Sequence, residues 1–455
     1  MPTCERITST EPRTDVLIIN ELSFWPLDQG SKLHGSQMAK ALHHIGVKVH
    51  MAGMQPTPPD CPPWLKRLII DWPESTDDQI SQFRSGWRGP LVRLRHRLAS
   101  HQNLDIRKLA GVITLVNRLK PAAVIALGQH GPILLRGLKR AHPSVKCIWY
   151  AADEPINFQL SCLPHLPIRQ WGRRLRLIGI YALLEALFTR NLDGAIGVSP
   201  KDTLLLKWLA GVRHVRTIRN GVDLDYFSAT QPTSEVQACH ANSNHSLVFW
   251  GRLDFEPNID AVCWFANRIW PRLRLHWPNA TWRIVGKNAD ARVKAACNRP
   301  GIMLVGEVPD IRPEAMSASI TILPLRCGAG IKNKLLEAAA LGRPILASTS
   351  TVRGLKLPPR ALPIMICHNQ DDWLNCMRRL WNDPQQCDQL GKTARQWVER
   401  NHTWTGAARE LLRFLNRMLP PEQMILIDPA PDQIEDEKLP TSMHRSAPIP
   451  KGMAA

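Results

Sequence analysis

Residues Ser319 to Gly354 read SITILPLRCGAGIKNKLLEAAALGRPILASTSTVRG, and the fold class turns on them. Ile320 to Leu325 is an apolar run with β-branched residues, closed by a turn signal, which is the pattern of a buried strand. Gly328-Ala329-Gly330 follows, a loop where backbone can come close to a ligand. Lys334 to Leu341 is a row of good helix formers, stopped by Gly342 and Pro344. Pro344 to Ala347 starts the next apolar run. Strand, glycine loop, helix and strand form one βαβ unit. A helix N-terminus behind such a loop offers free N–H groups and a positive dipole end to phosphate. Lys332 and Lys334 add full charges at that mouth. Glu337, one turn further on, can accept two hydrogen bonds from the paired hydroxyls of a ribose or sugar. An isolated G-x-G would more often mean a solvated Glu and two solvating lysines; the complete unit around it reverses that preference.

This stretch resembles the donor-nucleotide site of family 4 glycosyltransferases, retaining enzymes of the GT-B fold, and in particular their bacterial polysaccharide branches. The likeness lies in G-x-G, a basic residue, then Leu-Glu-Ala-x-Ala-x-Gly-x-Pro. It implies an α/β fold of two Rossmann-like doubly wound domains facing across a cleft. It also implies that Glu337 holds the nucleotide ribose and that Lys332 or Lys334 holds the diphosphate. Many members carry a second glutamate just before the G-x-G; Arg326-Cys327 stands there instead.

Other motifs extend the likeness. Asn220 to Phe227, NGVDLDYF, resembles the family's crossover between domains. Leu247 to Leu253 reads as a strand ending in Gly251-Arg252, where the family's arginine binds the donor diphosphate; a surface salt bridge is the alternative for Arg252. The lysine often found a few residues later is replaced by Glu256-Pro257-Asn258. Gly301 to Asp310 matches the short strand that lines the base, which puts Val308 among the donor contacts. The expected donor site is therefore Gly30, Gly251, Arg252, Gly328, Gly330, Lys332, Lys334, Glu337 and Val308. Arg252, Lys332, Lys334 and Glu337 are its expected catalytic members, and no metal ion or other cofactor is expected.

The chain has 455 residues, enough for two domains with full cores. Its net charge of +19 draws it to anionic surfaces and leaves nucleic acid and anionic lipid both open. The 11 cysteines are odd in number and scattered, without a C-x-x-C pair, which suits reduced thiols better than a disulfide framework or zinc site. The first residues lack the apolar region of a signal peptide, and Leu177 to Phe188 is too short to span a bilayer. The expected location is the cytoplasm, with the inner membrane face as its periphery.

Asp15 to Ile19, a helix from Ser36 to Ile45, and Val47 to Met51 open a doubly wound domain. Without G-x-G-x-x-G or an acid after the second strand, a dinucleotide cofactor is not expected. In the resemblance, Gln29-Gly30-Ser31 faces the donor diphosphate and the acceptor. Phe83 to Lys120 is basic and reads as helical, with Arg84, Arg88, Arg93, Arg95 and Arg97. Strands ending at Gly128-Gln129-His130 and Ala151 to Glu154 place His130, Asp153 and Glu154 as acceptor or sugar candidates, with turn and helix capping as the alternative. Ile168 to Arg190 sets Arg169, Arg173, Arg174 and Arg176 before an apolar helical run with Trp171, which suits a helix in a membrane interface as well as a core helix.

The boundaries read as an extension over 1–13, an acceptor domain over 14–227, a linker over 228–246, a donor domain over 247–419 and a Pro-rich disordered tail over 420–455, with the last helix crossing back to the first domain. The expected function is transfer of a sugar from a nucleotide-diphosphate sugar to a lipid-linked or glycan acceptor. A sugar-nucleotide epimerase of the same fold is the rival enzyme. A basic nucleic-acid-binding protein is the rival from another class, and it lacks a recognition motif, so no nucleic-acid partner is expected.

Overall fold

The computed structural model describes residues 14–27, 30–85, 106–152, 154–228, 245–355 and 362–427. Six parallel strands make the first sheet: β1 (Val16–Asn20), β2 (Val49–Gly53), β3 (Ala123–Leu127), β4 (Lys146–Ala151), β5 (Gly194–Gly197) and β6 (His214–Thr217), in the order β2-β1-β3-β4-β5-β6. Six more make the second: β7 (Ser246–Trp250), β8 (Thr281–Val285), β9 (Ile302–Gly306), β10 (Ile320–Leu323), β11 (Ile345–Ser348) and β12 (Met365–Cys367), in the order β12-β11-β10-β7-β8-β9. A parallel sheet is covered by helices on both faces, so its strands are apolar throughout. β1, β3, β7 and β10 are buried along their whole lengths. Strand order reverses beside β1 and beside β7, and ligands of such sheets lodge at the carboxyl ends next to that reversal.

The βαβ unit read from Ser319 to Gly354 is β10, the helix Asn333–Ala340 and β11, with Thr321 opposite Ile345 in register. Its helix buries Leu335, Leu336 and three alanines against the sheet. Behind the second sheet, Trp270, Trp282 and Trp373 are at most 2% exposed; truncating such a side chain to Ala costs about 3–5 kcal/mol.

Some elements differ from expectation. The first helix runs Gly30–His44, beginning a turn and a half before Ser36. The basic stretch from Phe83 to Lys120 contributes the end of a helix over Asp77–Ser85 and a second helix over Ile106–Leu119; Arg88, Arg93, Arg95 and Arg97 lie outside the described residues, as do 1–13 and most of 228–246. The last helix, Trp404–Asn416, packs on Gly30–His44 and places Trp404, Leu411 and Leu415 in the core of the N-terminal half. Residues 421–427 correct the tail boundary at 420. Ile425 is buried in that same core, and Asn416 holds its backbone N–H and carbonyl, each at 2.9 Å.

Candidate active site

The carboxyl edges of the two sheets face each other over a cleft of about 680 Å³, a size that suits a small-molecule ligand. Gly30, Gly251, Arg252, Val308, Gly328, Lys332, Lys334 and Glu337 all line it. Gly330 stands behind the lining, its carbonyl packed so closely under Gly354 that a Cβ there would sit 2.3 Å from it.

On the C-terminal side, β10 feeds a loop that ends at Lys332, the residue before the Asn333–Ala340 helix. The Lys332 ammonium donates to the Ala329 carbonyl and lies over Gly328. Gly328 has φ +116, open to glycine, and a Cβ on it would meet Lys332 Nζ at 2.8 Å. Lys334 reaches under Gly251, where its ammonium donates to Asn258 Oδ1 at 2.6 Å and sits 4.4 Å from the Phe249 ring centre. Burial pulls the Lys334 pKa down to about 7; Glu337 resists that shift and Lys332 adds to it. Glu337 accepts a hydrogen bond from Trp250 Nε1 at 2.8 Å, and burial pushes its pKa up. One of the oxygens expected to hold a ribose is thus already engaged by an indole that the sequence reading did not single out. β7 and β8 end so close together that a Cβ on Gly286 would lie 1.9 Å from the Gly251 carbonyl.

Arg252 lines the cleft mouth with its guanidinium forked onto Asp254, at 3.0 and 2.9 Å. The surface ion pair weighed as the alternative for this residue is formed, and a diphosphate would share or displace it.

On the N-terminal side the lining is aromatic and acidic. Trp149, Phe158 and Tyr181 contribute rings, and Glu21, just past the end of β1, contributes a carboxylate. His130 lies behind Glu21 and not in the cleft wall, with its Nδ1 bonded to the Glu21 carboxylate. Burial lowers the His130 pKa to about 4, so the ring is neutral and donates Nδ1–H. His130 thus orients a cleft residue that sequence reasoning passed over. The available signal was position alone, an acid directly after the first strand.

Glu154 is fully buried and not part of the lining, which corrects its place as a contact candidate. It caps the helix Pro155–Cys162, accepting from the Ile156 and Asn157 N–H groups, and so takes the capping role weighed for Asp153, which lies outside the described residues. Beside it lies Glu185, whose pKa burial and the neighbouring acid push up to about 10. Glu185 is therefore a neutral acid at pH 7. Close by, Asp202 is buried, with hydrogen bonds from Ser199 Oγ at 2.6 Å and Asn157 Nδ2 at 2.7 Å, and it feels the charge of Lys332 from the opposite half.

Several side chains join the halves. Asn220 Nδ2 donates to Asn333 Oδ1 at 2.9 Å. Phe158 stacks on Phe255 with ring centres 5.8 Å apart. Tyr226, in the crossover motif, lies under the Arg312 guanidinium at 4.3 Å.

The Trp171–Phe188 helix divides into two parts. Leu184, Glu185 and Phe188 are buried, whereas Trp171, Arg173, Leu175 and Arg176 are exposed, as are Ile168 and Arg169 just before them. Arg174 turns inward to Gln159. Among the described residues, no helix is long and apolar enough to cross a membrane.

Two Rossmann-like halves facing across a glycine-lined, basic cleft make the GT-B fold. Residues 244–383 match the family model described as Glycosyl transferases group 1, so the C-terminal half carries a group 1 domain, in keeping with the resemblance to family 4. Sucrose-phosphate synthase from Thermosynechococcus elongatus superposes with a TM-score of 0.66 at 15% identity, covering 89% of this chain and 99% of that one. The Anabaena protein HepE, solved with UDP and glucose, gives 0.61 at 13% identity over 89% of this chain and 99% of its own. WaaG, a glycosyltransferase involved in lipopolysaccharide biosynthesis, gives 0.55 at 12% identity over 87% and 98%. At these identities the likeness is one of fold. No curated protein sequence matches the chain.

Proposed function

We propose that the chain transfers a sugar, with retention of configuration, from a nucleoside-diphosphate sugar to a lipid-linked or polysaccharide acceptor at an anionic membrane face. The observation that carries this reading is the convergence of Lys332, Lys334, the Asn333–Ala340 helix N-terminus and Glu337 on one wall of the cleft. As the glycosidic bond breaks, negative charge grows on the departing diphosphate. Fixed positive groups in a partly desolvated site stabilise that charge more than they stabilise the ground state. In this reading Lys332, Lys334 and Arg252 supply what a metal ion supplies elsewhere, and Glu337 holds the ribose with the oxygen that Trp250 leaves open. The solved HepE complexes, one with UDP-glucose, favour a uridine donor as the first to try.

The aromatic and acidic wall around Glu21 suits an acceptor's hydroxyls and apolar faces. Exposed Arg169, Arg173 and Arg176 beside Trp171 and Leu175 suit a lipid headgroup layer. Each such charge contributes about 1 kcal/mol near an anionic surface, and salt screens the attraction over a Debye length of about 8 Å at physiological ionic strength.

Incubation with labelled nucleotide sugars and a membrane extract tests the reading as a whole. Label transferred to extractable lipid or glycan, in the presence of chelator, is the expected outcome. Label recovered only as an epimerised nucleotide sugar, or activity lost to chelator and restored by magnesium, would overturn the corresponding part. Co-sedimentation with anionic but not neutral vesicles, reduced by added salt and by replacing the three exposed arginines with Gln, tests the membrane part separately.

A further inference from the structure

Cys162 closes the helix Pro155–Cys162 in the N-terminal half, and Cys327 precedes Gly328 in the donor loop of the C-terminal half. The two residues are 1% and 3% exposed, and both thiols are free. Their side chains interact across the domain interface. Their neighbours make a second bond over the same seam, from the Gly328 N–H to the Ser161 hydroxyl at 2.8 Å. Ser161 Oγ also lies 3.9 Å from the Cys162 sulfur. Two consecutive residues of one half thus meet two consecutive residues of the other. The Cys162 thiol is drawn below its ordinary pKa, first by Cys327 and further by Ser161 and Arg174, against the opposing effect of burial. Cys162, together with burial, pushes Cys327 up. Cys162 is therefore the attacking thiol of the pair.

We propose that Cys162 and Cys327 form a redox modification site, oxidised by small disulfides of the glutathione type to a disulfide that joins the two halves beside the donor loop. The Cys162 thiolate attacks one sulfur of the small disulfide, forms a mixed disulfide and releases one small thiolate. That thiolate takes the Cys327 proton, and Cys327 attacks the Cys162 sulfur and expels the second small thiolate. Two electrons pass to the small disulfide, and the two protein protons leave with the two small thiols.

This bridge would act on geometry. The described chain crosses between the halves near Val222 and again near Thr403, where the two segments pair. Domain interfaces of modest area permit relative motion by default; a covalent bond beside the donor loop, away from that crossing, would fix the cleft width. Because both thiols are covered, the oxidant reaches them when the halves separate. A second thiol pair, Cys367 and Cys376, interacts within the C-terminal half alone and serves as an internal control.

The test exposes the full chain to excess oxidised glutathione, alkylates it and maps its peptides without reduction. The expected result is a linked Cys162–Cys327 peptide that disappears on dithiothreitol treatment and in Cys162→Ser or Cys327→Ser. Small-angle scattering of the oxidised wild type should show a narrower spread of shapes, and Cys367→Ser should respond as wild type. Independent alkylation of Cys162 and Cys327, or their recovery only as glutathione adducts, would overturn the proposal. The wild-type map decides this without either Ser variant, and it does not depend on the identity of donor or acceptor.

Discussion

At the carboxyl edge of the C-terminal sheet stand Lys287, Lys332, Lys334 and Arg252; at the same edge of the N-terminal sheet stand Glu21, Glu154 and Asp202, with Glu185 behind them. One topology has been given two electrostatic characters. The C-terminal half leaves cations and glycine backbone open to the cleft, as a diphosphate requires. Of these four acids the N-terminal half buries three and leaves Glu21 half-buried among aromatic rings. Buried charge is also handled differently. In the C-terminal half, Arg283 and Glu314 form a two-bond ion pair, 2.6 and 2.7 Å, with both side chains 7% exposed. In the N-terminal half, burial and the neighbouring Glu154 push Glu185 toward its neutral form. The lesson is that the sheet fixes where a ligand sits, and the loops after each strand fix which ligand it is.

The largest expected effect breaks the ion pair. Glu314→Ala removes the carboxylate that pairs with the buried Arg283 guanidinium and should cost about 3–5 kcal/mol of stability, read as a lower urea midpoint; a loss below about 1 kcal/mol would mean that water reaches the arginine. Next, Glu337→Ala should weaken nucleoside-diphosphate binding by about 1.5–3 kcal/mol, the range for a charge-assisted hydrogen bond. Calorimetry on the folded variant measures it, and unchanged affinity would move the ribose elsewhere.

Lys334 gives a pH signature. Its pKa is about 7 in the free protein, and a bound diphosphate should raise it. Affinity is then full below about pH 7 and declines by up to about tenfold per unit as pH rises toward the bound-state value. Calorimetry at pH 8 in two buffers of different ionisation enthalpy should show proton uptake, absent in Lys334→Met. Equal proton uptake by that variant would assign the signal to another group.

The last test concerns the acid pair and reads a slope against pH. With its folded pKa raised to about 10, Glu185 binds its proton more tightly in the folded chain than in the unfolded one. Its stabilising contribution is complete below about pH 4.5 and is lost as pH rises toward 10. Glu185→Gln should flatten that decline relative to wild type in thermal melts across the window; parallel curves would show that Glu185 does not carry the proton.

Much of the C-terminal half was legible in the sequence because its chemistry is local. Strand, glycines, lysines and Glu337 fall within one βαβ unit, so spacing along the chain becomes spacing in the site. Glu21 and His130 are 109 residues apart, and only the pairing of β1 with β3 brings them together. Trp250 and Glu337 meet for the same reason, through β7 and β10. Glu154 was legible as a polar residue at a strand end, but whether such a residue caps a helix or faces the cleft depends on where the next helix starts. The Pro-rich composition after 420 concealed Ile425 because one buried side chain and two backbone bonds have no periodicity.

The position of the last helix bears on how the protein is made. Trp404, Leu411, Leu415 and Ile425 complete a core begun by Val16 and Ile18. During synthesis the first sheet emerges early, yet one of its faces stays uncovered until residues 404–425 have left the ribosome. The N-terminal half therefore cannot finish folding first, as domains made in order commonly do. A nascent chain halted near residue 400 would display that apolar face to chaperones, and release of the final segment is the event that ends the exposure.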